Sequence, residues 1–292
     1  ALVSSQLRAM NTAQITSLSP SQQQALSSAQ LNSLSSEQAG SLGNGDLSSL
    51  GTQQIQNLTP KSVTTDQIAT LSTAQVAAFS TAQIASLSTA QTFVLSSDQV
   101  VALSTLQVSA LVSGQLSSLS RNILAAFETR DVAALLGSQV AAIQSVQVSA
   151  LTSAQFRALS TVQITSLSTR QIPAIETDDL QSLRSSQLGS LSSSQIRSLQ
   201  SGQLTAILTD QIATLTTDQV RSLSSTQLAL LLTDQIVALN TTQFSALSAA
   251  QAGALSLEQI IAIQTQDLRA LNPSNIASLR TNSIAAISPA QF

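Results

Sequence analysis

Large apolar residues recur every eight positions along almost the whole chain. From Ser72 to Leu95 the sequence reads STAQVAAF, STAQIASL and STAQTFVL. With Ser72 at position 1 of an eight-residue word, position 8 is Leu, Ile, Phe or Met in all 35 complete words. Position 5 is usually Ile, Val, Leu or Phe, whereas positions 2, 3 and 6 accept Arg, Asp, Thr and Gln. We therefore expect position 8 to be the most deeply buried, position 5 to come next, and positions 2, 3 and 6 to be exposed.

The words run in two blocks that leave no room for another domain. One block covers residues 3–58 and the other residues 64–287, with a frame break at residues 59–63. We predict a single repeat solenoid over residues 1–292, as a segment of a longer array. Three glycines, one proline and the shortened unit make residues 43–63 the best candidate for a hinge or bend.

The spacing of the apolar positions excludes both a strand and one long helix. Strict alternation is missing, and an unbroken helix would rotate each word by about 80° relative to the one before. A helix that restarts in every word fits better. Ser96 is a good N-cap, Gln99 falls at N3 as in a capping box, and Leu95 can pack on Val100 as a hydrophobic staple.

Prolines and charges support this register. Pro20, Pro60, Pro273 and Pro289 fall where the first helical residue is expected, a position that tolerates proline. All 14 acidic residues lie at positions 1, 3 or 4, and five of the 11 basic residues lie at position 6, as the helix dipole favours. Pro173, at position 6, does not fit the scheme.

Some words begin with Leu instead of Ser. At Leu208 and Leu232 we expect Thr209 and Thr233, one position later, to act as the cap. Isolated helices of this length are unstable, so each must be stabilised by its neighbours. The predicted fold class is all-α, a solenoid of helices of about five to seven residues, one per word.

The residue types leave little room for chemistry. His and Cys are absent. Their absence leaves carboxylates as the remaining common metal ligands, and it also removes most of the usual general bases. We expect no enzyme activity, no catalytic residue, no cofactor and no metal site. Glu176, Asp178 and Asp179 allow a Ca²⁺ site, but favourable charge at a helix N-terminus explains them better.

Two other sets of polar residues stand out in the sequence: a patch of mixed charge and the glutamine at position 4. Arg121, Glu128, Arg130 and Asp131 form a mixed patch that we interpret as surface ion pairing. The repeated Gln at position 4 is interpreted mainly as a capping residue, although stacked amides could also bond between coils. A ligand-binding ladder is the third interpretation of these glutamines.

Nucleic acid is not an expected partner. LLTDQIVAL (231–239) resembles the opening of a TAL-effector repeat, a family that binds DNA. The similarity covers one short helix and leaves no room for that family's variable base-reading pair. The net charge of −3 also differs from the basic surface that phosphate binding needs. We interpret the similarity as shared helix-start chemistry.

A second resemblance covers nearly the whole chain. Words such as STAQIASL and STVQITSL resemble octapeptide arrays in large secreted bacterial proteins that carry adhesin or haem-utilisation labels. The resemblance implies an extracellular or cell-surface location. The haem label finds no support in the residues, because His is absent and there is one Met, Met10.

We therefore expect a structural repeat protein that forms an extracellular rod or filament. The alternative is an adhesin stalk or binding module that engages carbohydrate or another surface, and an ice-binding threonine array is a third interpretation. No apolar run approaches the length of a membrane span. Leu2 and Phe292 belong to incomplete words, so the expected partner is a second copy stacked end to end, or the continuation of a longer chain.

Overall fold

The chain folds almost entirely into very short helices. The computed structural model describes residues 2–45 and 47–288. Within these residues there are 33 α-helices, three 3₁₀ helices and no strand. The α-helices contain four to six residues each, so the prediction of an all-α fold of very short helices is confirmed.

Two compact units, residues 1–150 and residues 151–292, are described separately. The helices of the first unit are α1 (Ser4–Ala9), α2 (Thr12–Thr16), α3 (Pro20–Gln24), α4 (Ser28–Ser33), α5 (Ser36–Gly40), η1 (Leu42–Gly45), α6 (Thr52–Asn57), η2 (Pro60–Ser62), α7 (Thr65–Thr70), α8 (Thr73–Ala77), α9 (Thr81–Ser86), α10 (Thr89–Phe93), α11 (Ser97–Val101), α12 (Thr105–Ser109), α13 (Ser113–Ser118), α14 (Arg121–Ala126), α15 (Thr129–Ala134), α16 (Gly137–Ala142) and α17 (Ser145–Val148).

The second unit repeats the same design. Its helices are α18 (Ser153–Ala158), α19 (Thr161–Ser166), η3 (Ile172–Ala174), α20 (Thr177–Ser182), α21 (Ser185–Ser190), α22 (Ser193–Arg197), α23 (Ser201–Ala206), α24 (Thr209–Ala213), α25 (Thr217–Ser222), α26 (Ser225–Leu230), α27 (Thr233–Val237), α28 (Thr241–Ser245), α29 (Ala249–Ala254), α30 (Leu257–Ala262), α31 (Thr265–Leu268), α32 (Pro273–Ser278) and α33 (Thr281–Ala286).

Within each unit, a helix packs against the third helical element along the chain. In the first unit α1 packs on α4 and α10 on α13, and in the second α26 packs on α29 and α29 on α32. The chain turns between helices because the residue at position 8 is extended; at Leu87, for example, φ is −56° and ψ is 139°. This stacking of like units is a solenoid.

The interior consists of positions 5 and 8, but their order is the reverse of the expected one. Ile84 at position 5 is 0% exposed, whereas Leu87 at position 8 of the same word is 5% exposed. Position 5 lies on the inner face of the helix. Position 8 lies at the corner where the chain leaves one helix for the next, so it keeps a small exposed edge. Positions 2, 3 and 6 are mostly exposed, as predicted.

Local departures from the word are absorbed by 3₁₀ turns. The shortened unit 59–63 forms η2 with Pro60 in its first turn, and residues 42–45 form η1, in which Gly43 has a φ of +62°. Pro173, which did not fit the sequence scheme, lies in η3, where a tighter turn replaces the α-helix. Of the prolines expected at a first helical residue, Pro289 lies outside the described residues. The hinge at residues 43–63 stays a prediction.

Candidate functional site

The predicted capping box forms in most words. Ser88 shows the pattern before α10: its backbone N–H donates to Gln91 Oε1 (2.8 Å), and the Gln91 N–H donates to Ser88 Oγ (3.2 Å). Two of the N–H groups that a helix start leaves unpaired are thereby satisfied. The interpretation of position 4 as a capping residue is confirmed.

The same glutamine amide also bonds to another coil. Gln219 accepts from the Thr216 N–H with Oε1, and its Nε2 donates to the carbonyls of Leu188 (3.0 Å) and Leu191 (2.8 Å). Those carbonyls lie 31 and 28 residues earlier, at positions 5 and 8 of the word four before. We call the set of position-4 glutamines that bond in this way the glutamine ladder.

The glutamine ladder explains how helices end without glycine. The last carbonyls of a short helix have no partner inside that helix. They receive the Nε2 protons of a glutamine from the next coil, as the Leu204 and Ile207 carbonyls do from Gln235 (2.9 and 2.6 Å). The amide group of each such glutamine caps the start of its own helix and the end of another, and it therefore lies buried between the two coils. Gln235, for example, is 2% exposed.

Sequence reasoning left the bonds between coils open and missed the burial of position 4. The signal was in the sequence. A capping box accepts Glu as well as Gln at N3, yet no Glu occupies position 4 in any complete word. A carboxylate would supply the capping acceptor but not the two N–H donors that the carbonyls require.

The frame break does not interrupt the glutamine ladder. Gln91 donates to the carbonyls of Pro60 (2.7 Å) and Val63 (2.6 Å) in the shortened unit. Gln83 bonds to Ile55 and Leu58, which lie 28 and 25 residues earlier because three residues are missing between them. The shortened unit therefore occupies the place of positions 4 to 8 of a word.

The prediction of threonine caps in the words that begin with Leu is wrong. Thr209 and Thr233 do not become caps; the N-caps remain Leu208 and Leu232, which make no side-chain cap bond. Their backbone N–H groups still donate to the Oε1 atoms of the following position-4 glutamines, at 3.0 and 2.8 Å. The glutamine fixes the register, so loss of the Ser hydroxyl does not move the helix start.

Position-6 side chains cap further carbonyls on the outside. Arg197 Nε donates to the Ser222 carbonyl (3.2 Å), and Gln181 Nε2 donates to the Ala206 carbonyl (3.0 Å). Each acceptor is 25 residues later, at position 7 of the third word on. The position-6 bases that we related to the helix dipole thus also reach the ends of neighbouring helices.

Among the described residues, three words carry a buried aspartate at position 4. Each carboxylate accepts from a position-2 hydroxyl 26 residues earlier, in the pairs Thr105–Asp131 (2.7 Å), Ser153–Asp179 (2.6 Å) and Thr241–Asp267 (2.7 Å). Aspartate is one methylene shorter than glutamine and has no N–H, so a hydroxyl of the adjoining coil replaces the carbonyl partner.

The acidic cluster of the second unit centres on one of these aspartates. Asp179 is 6% exposed, and Glu176 is the N-cap of α20 without a side-chain cap bond. Burial raises the pKa of Asp179, the Ser153 hydroxyl lowers it, and the charges of Glu176 and Asp178 raise it further. Across residues 2–45 and 47–288, no group of three or more His, Cys, Asp or Glu residues could hold a metal ion.

The mixed patch contains a real ion pair. Arg130 contacts Glu128 at 2.6 Å, and its Nε lies 3.9 Å from Asp131 Oδ1. Arg130 is 65% exposed, so the pair contributes little to stability. Within the described part of the chain, no ion pair joins Arg121 to this group.

The outer surface offers open grooves. One in the first unit is lined by Val101, Leu106 and Arg130 among others, and Leu106 is 73% exposed. In the second unit, serine and threonine residues line two grooves beside Arg197 and Arg221. No described helix is long and apolar enough to cross a membrane.

Comparison with known protein families identifies a repeat family. A protein-family model described as the ALTTAQ repeat matches residues 68–105, 124–161, 172–209, 204–241 and 260–292, more than half of the chain. No curated protein matches the sequence.

Proposed function

Because this chain belongs to the ALTTAQ repeat family, we propose that it is a structural element, an extended spacer outside the cell or on the cell surface. The observation that carries the proposal is the glutamine ladder. It joins successive coils through main-chain acceptors, so the array is stabilised by many similar contacts along its length. Such a distribution of contacts suits a structural role. The extracellular location is supported by the resemblance of the words to arrays in secreted bacterial proteins.

The proposal assigns no catalysis and no cofactor. Its support is the composition, which contains no His and no Cys, and the burial of the position-4 glutamines, whose amides are engaged in bonds between coils. Gln187, for instance, is 0% exposed and donates to the carbonyls of Phe156 and Leu159.

The test is to measure particle length against the number of words. The full chain and a variant lacking residues 216–271, seven complete words, are compared by electron microscopy and small-angle scattering. The spacer role requires elongated particles, with the variant shorter by about a fifth because each coil adds length along the array. Particles of equal maximum dimension in both samples would contradict it.

The location is tested in the organism that carries the gene. Antibodies to the chain should label intact, unpermeabilised cells or recover the chain from the medium. Labelling that appears only after permeabilisation would remove the extracellular part of the proposal and leave the structural part intact.

We further propose a second copy of the array as the partner. The glutamine ladder is directional, with donors in the later word and acceptors in the earlier one, so one run of words can stack on another head to tail. Sedimentation of the chain over a range of concentrations should show growing oligomers. Addition of one polar word at each end should abolish them, whereas a chain that is strictly monomeric without the added words would leave the spacer without self-assembly.

A further inference from the structure

Three arginines lie at the same position of stacked helices in the second unit. Helices α22, α25, α28 and α31 pack one on the next, and their position-6 residues are Arg197, Arg221, Ser245 and Arg269. All three arginines are exposed. Neighbouring helix axes are about 8–10 Å apart, so the cationic groups recur at multiples of that distance. We call Arg197, Arg221 and Arg269 the arginine stack.

The first two members lie next to each other without a carboxylate partner. Arg197 Nε donates to the carbonyl of Ser222, the residue after Arg221, at 3.2 Å. Among the described residues, neither Arg197 nor Arg221 takes part in an ion pair, although Asp218 lies on the same helix as Arg221. Two adjacent guanidinium groups repel each other, and a bound anion would relieve that repulsion.

The guanidinium group of Arg197 is also held in place for a ligand. Its bond to the Ser222 carbonyl uses one of five N–H donors and leaves the others for an anion. A guanidinium that is already oriented loses less freedom when it binds a carboxylate or sulfate in the two-bond geometry these groups favour.

Hydroxyl-bearing residues line the grooves beside the arginine stack. Ser193, Ser194 and Ser198 line the groove at Arg197. The groove at Arg221 is lined by Thr217, Thr242, Ser245 and Ser248, with Ala246 and Leu247. Hydroxyl groups both donate and accept, as the hydroxyl groups of a sugar do.

We infer that the arginine stack binds an acidic polysaccharide, whose carboxylate or sulfate groups pair with the arginines while its hydroxyl groups contact the serines and threonines. An extended polyanion fits because the cations follow the stacking direction. A nucleic acid fits less well: the aromatic residue of these helices, Phe244, is 0% exposed and offers no surface for base stacking. This binding goes beyond the structural role and does not depend on it.

The experiment compares two matched double variants of the full chain. R197Q/R221Q removes two charges from the arginine stack, and R157Q/R280Q removes two exposed charges elsewhere in the same unit. Binding to polygalacturonate and dextran sulfate is measured by biolayer interferometry at low and physiological salt, with neutral dextran as the reference. Thermal scans by circular dichroism confirm that both variants are folded.

We expect the full chain to bind at least one acidic polysaccharide but not neutral dextran, and more weakly as salt rises. R197Q/R221Q should weaken binding about tenfold, because two charge-assisted contacts are lost, and R157Q/R280Q less than about twofold. No binding of either acidic polymer, or equal weakening by both variants, would overturn the inference. Tighter binding of duplex DNA or of phosphatidylserine vesicles through the same arginines would overturn the ligand class.

Discussion

Glutamine fills both roles at position 4 because of its length as well as its amide group. Asn275 occupies the same position and is 0% exposed. Its Nδ2 donates to the Leu247 carbonyl (3.0 Å), so the bond to the other coil is kept, but its Oδ1 has no hydrogen-bond partner. One methylene less removes the capping role. Ser283, at position 4 of the next word, is buried with its hydroxyl unpaired.

Removing one glutamine from the ladder should be costly. Gln219→Ala deletes the cap of the Thr216 N–H and the donor to the carbonyls of Leu188, Gly189 and Leu191; the bonds to Leu188 and Leu191 are buried, and the other two are partly buried. We expect a loss of about 2–4 kcal/mol in the free energy of unfolding, measured by urea denaturation, because buried polar groups are left unpaired.

The matched control is Gln53→Ala, an exposed glutamine at position 3. It should change the free energy of unfolding by less than about 0.5 kcal/mol. Hydrogen exchange adds a local measurement, since amides of α25 should lose protection in Gln219→Ala. Equal effects of the two substitutions would mean that the ladder is not what holds the coils together.

Asp179 should make the second unit more stable in acid than at neutral pH. Its folded-state pKa is raised above the ordinary value of 3.8, chiefly by burial. A raised carboxyl pKa means that the folded state binds the proton more tightly than the unfolded state does. The stabilisation is therefore complete below pH 3.8 and is lost as the pH rises through the raised pKa.

Asp179→Asn should remove this dependence and raise stability at pH 7 by about 1 kcal/mol. The neutral amide avoids the cost of a buried charge and can donate to a carbonyl, as Asn275 does. Urea titrations at several pH values measure this dependence, with Asp234→Asn, an exposed position-3 aspartate of the same unit, as the control. A stability profile that is unchanged in Asp179→Asn would count against the buried carboxylate as its origin.

At the scale of the element, the sequence predicted where helices start better than how they end. Start signals are local: Ser at position 1, Gln at position 4 and Pro20 or Pro273 in the first turn all fall where expected. The end of each helix depends on a side chain about 28 residues later, and a local pattern contains no such information. The caps at Leu208 and Leu232 were assigned wrongly for a different reason: the glutamine three residues later fixes the helix start without a side-chain cap.

Within one word, positions 5 and 8 should differ in their contribution to stability. Leu188 is 0% exposed and Leu191 is 3% exposed. Both Leu188→Ala and Leu191→Ala should destabilise the chain by about 2–5 kcal/mol, with the larger loss at Leu188, whose neighbours enclose it on the inner face of the helix. Urea denaturation of the two variants and of Leu230→Ala, which is 39% exposed, provides the comparison.

Replacing Pro173 should convert η3 into an α-helix. Pro173 has no N–H and disfavours α-helix in the residue before it, which accounts for the 3₁₀ turn at Ile172–Ala174. Gln203 bonds to the carbonyls of Ile172 and Ile175 despite this turn, so the coil is already in place. We expect Pro173→Ala to stabilise the chain by about 1 kcal/mol, as measured by thermal unfolding, whereas Pro273→Ala should not stabilise it.

At the scale of the whole chain, the solenoid was predictable because the helix of a single word is unstable by itself. A helix of six residues cannot persist alone, so stacking was predictable from word length and the two apolar positions. The number of words per coil was not predictable. It is set by the 25 to 31 residues between an amide and its main-chain acceptors, and a main-chain acceptor leaves no mark on the sequence.

Whole words should therefore be removable, and parts of words should not. Deleting residues 216–223 removes one complete word, and the remaining glutamines find equivalent carbonyls in the shifted coils. We expect the helical circular dichroism per residue and the cooperativity of unfolding to be kept. Deleting only residues 220–223 removes both inward side chains of the word, Val220 and Leu223. We expect this variant to have less helical circular dichroism per residue and less cooperative unfolding. Similar unfolding curves for the two deletions would contradict the word as the structural unit.

The use of main-chain carbonyls as acceptors in the glutamine ladder has a genetic consequence. Every residue type offers the same main-chain carbonyl. The bond from a position-4 glutamine therefore does not depend on the side chains of the word that accepts it. Misaligned recombination between the DNA segments that encode similar words would gain or lose units of 24 bases, and each product would still encode a chain that satisfies its main-chain hydrogen bonds. We expect natural alleles of this gene to differ in length by multiples of eight codons, with the surface residues varying freely among them.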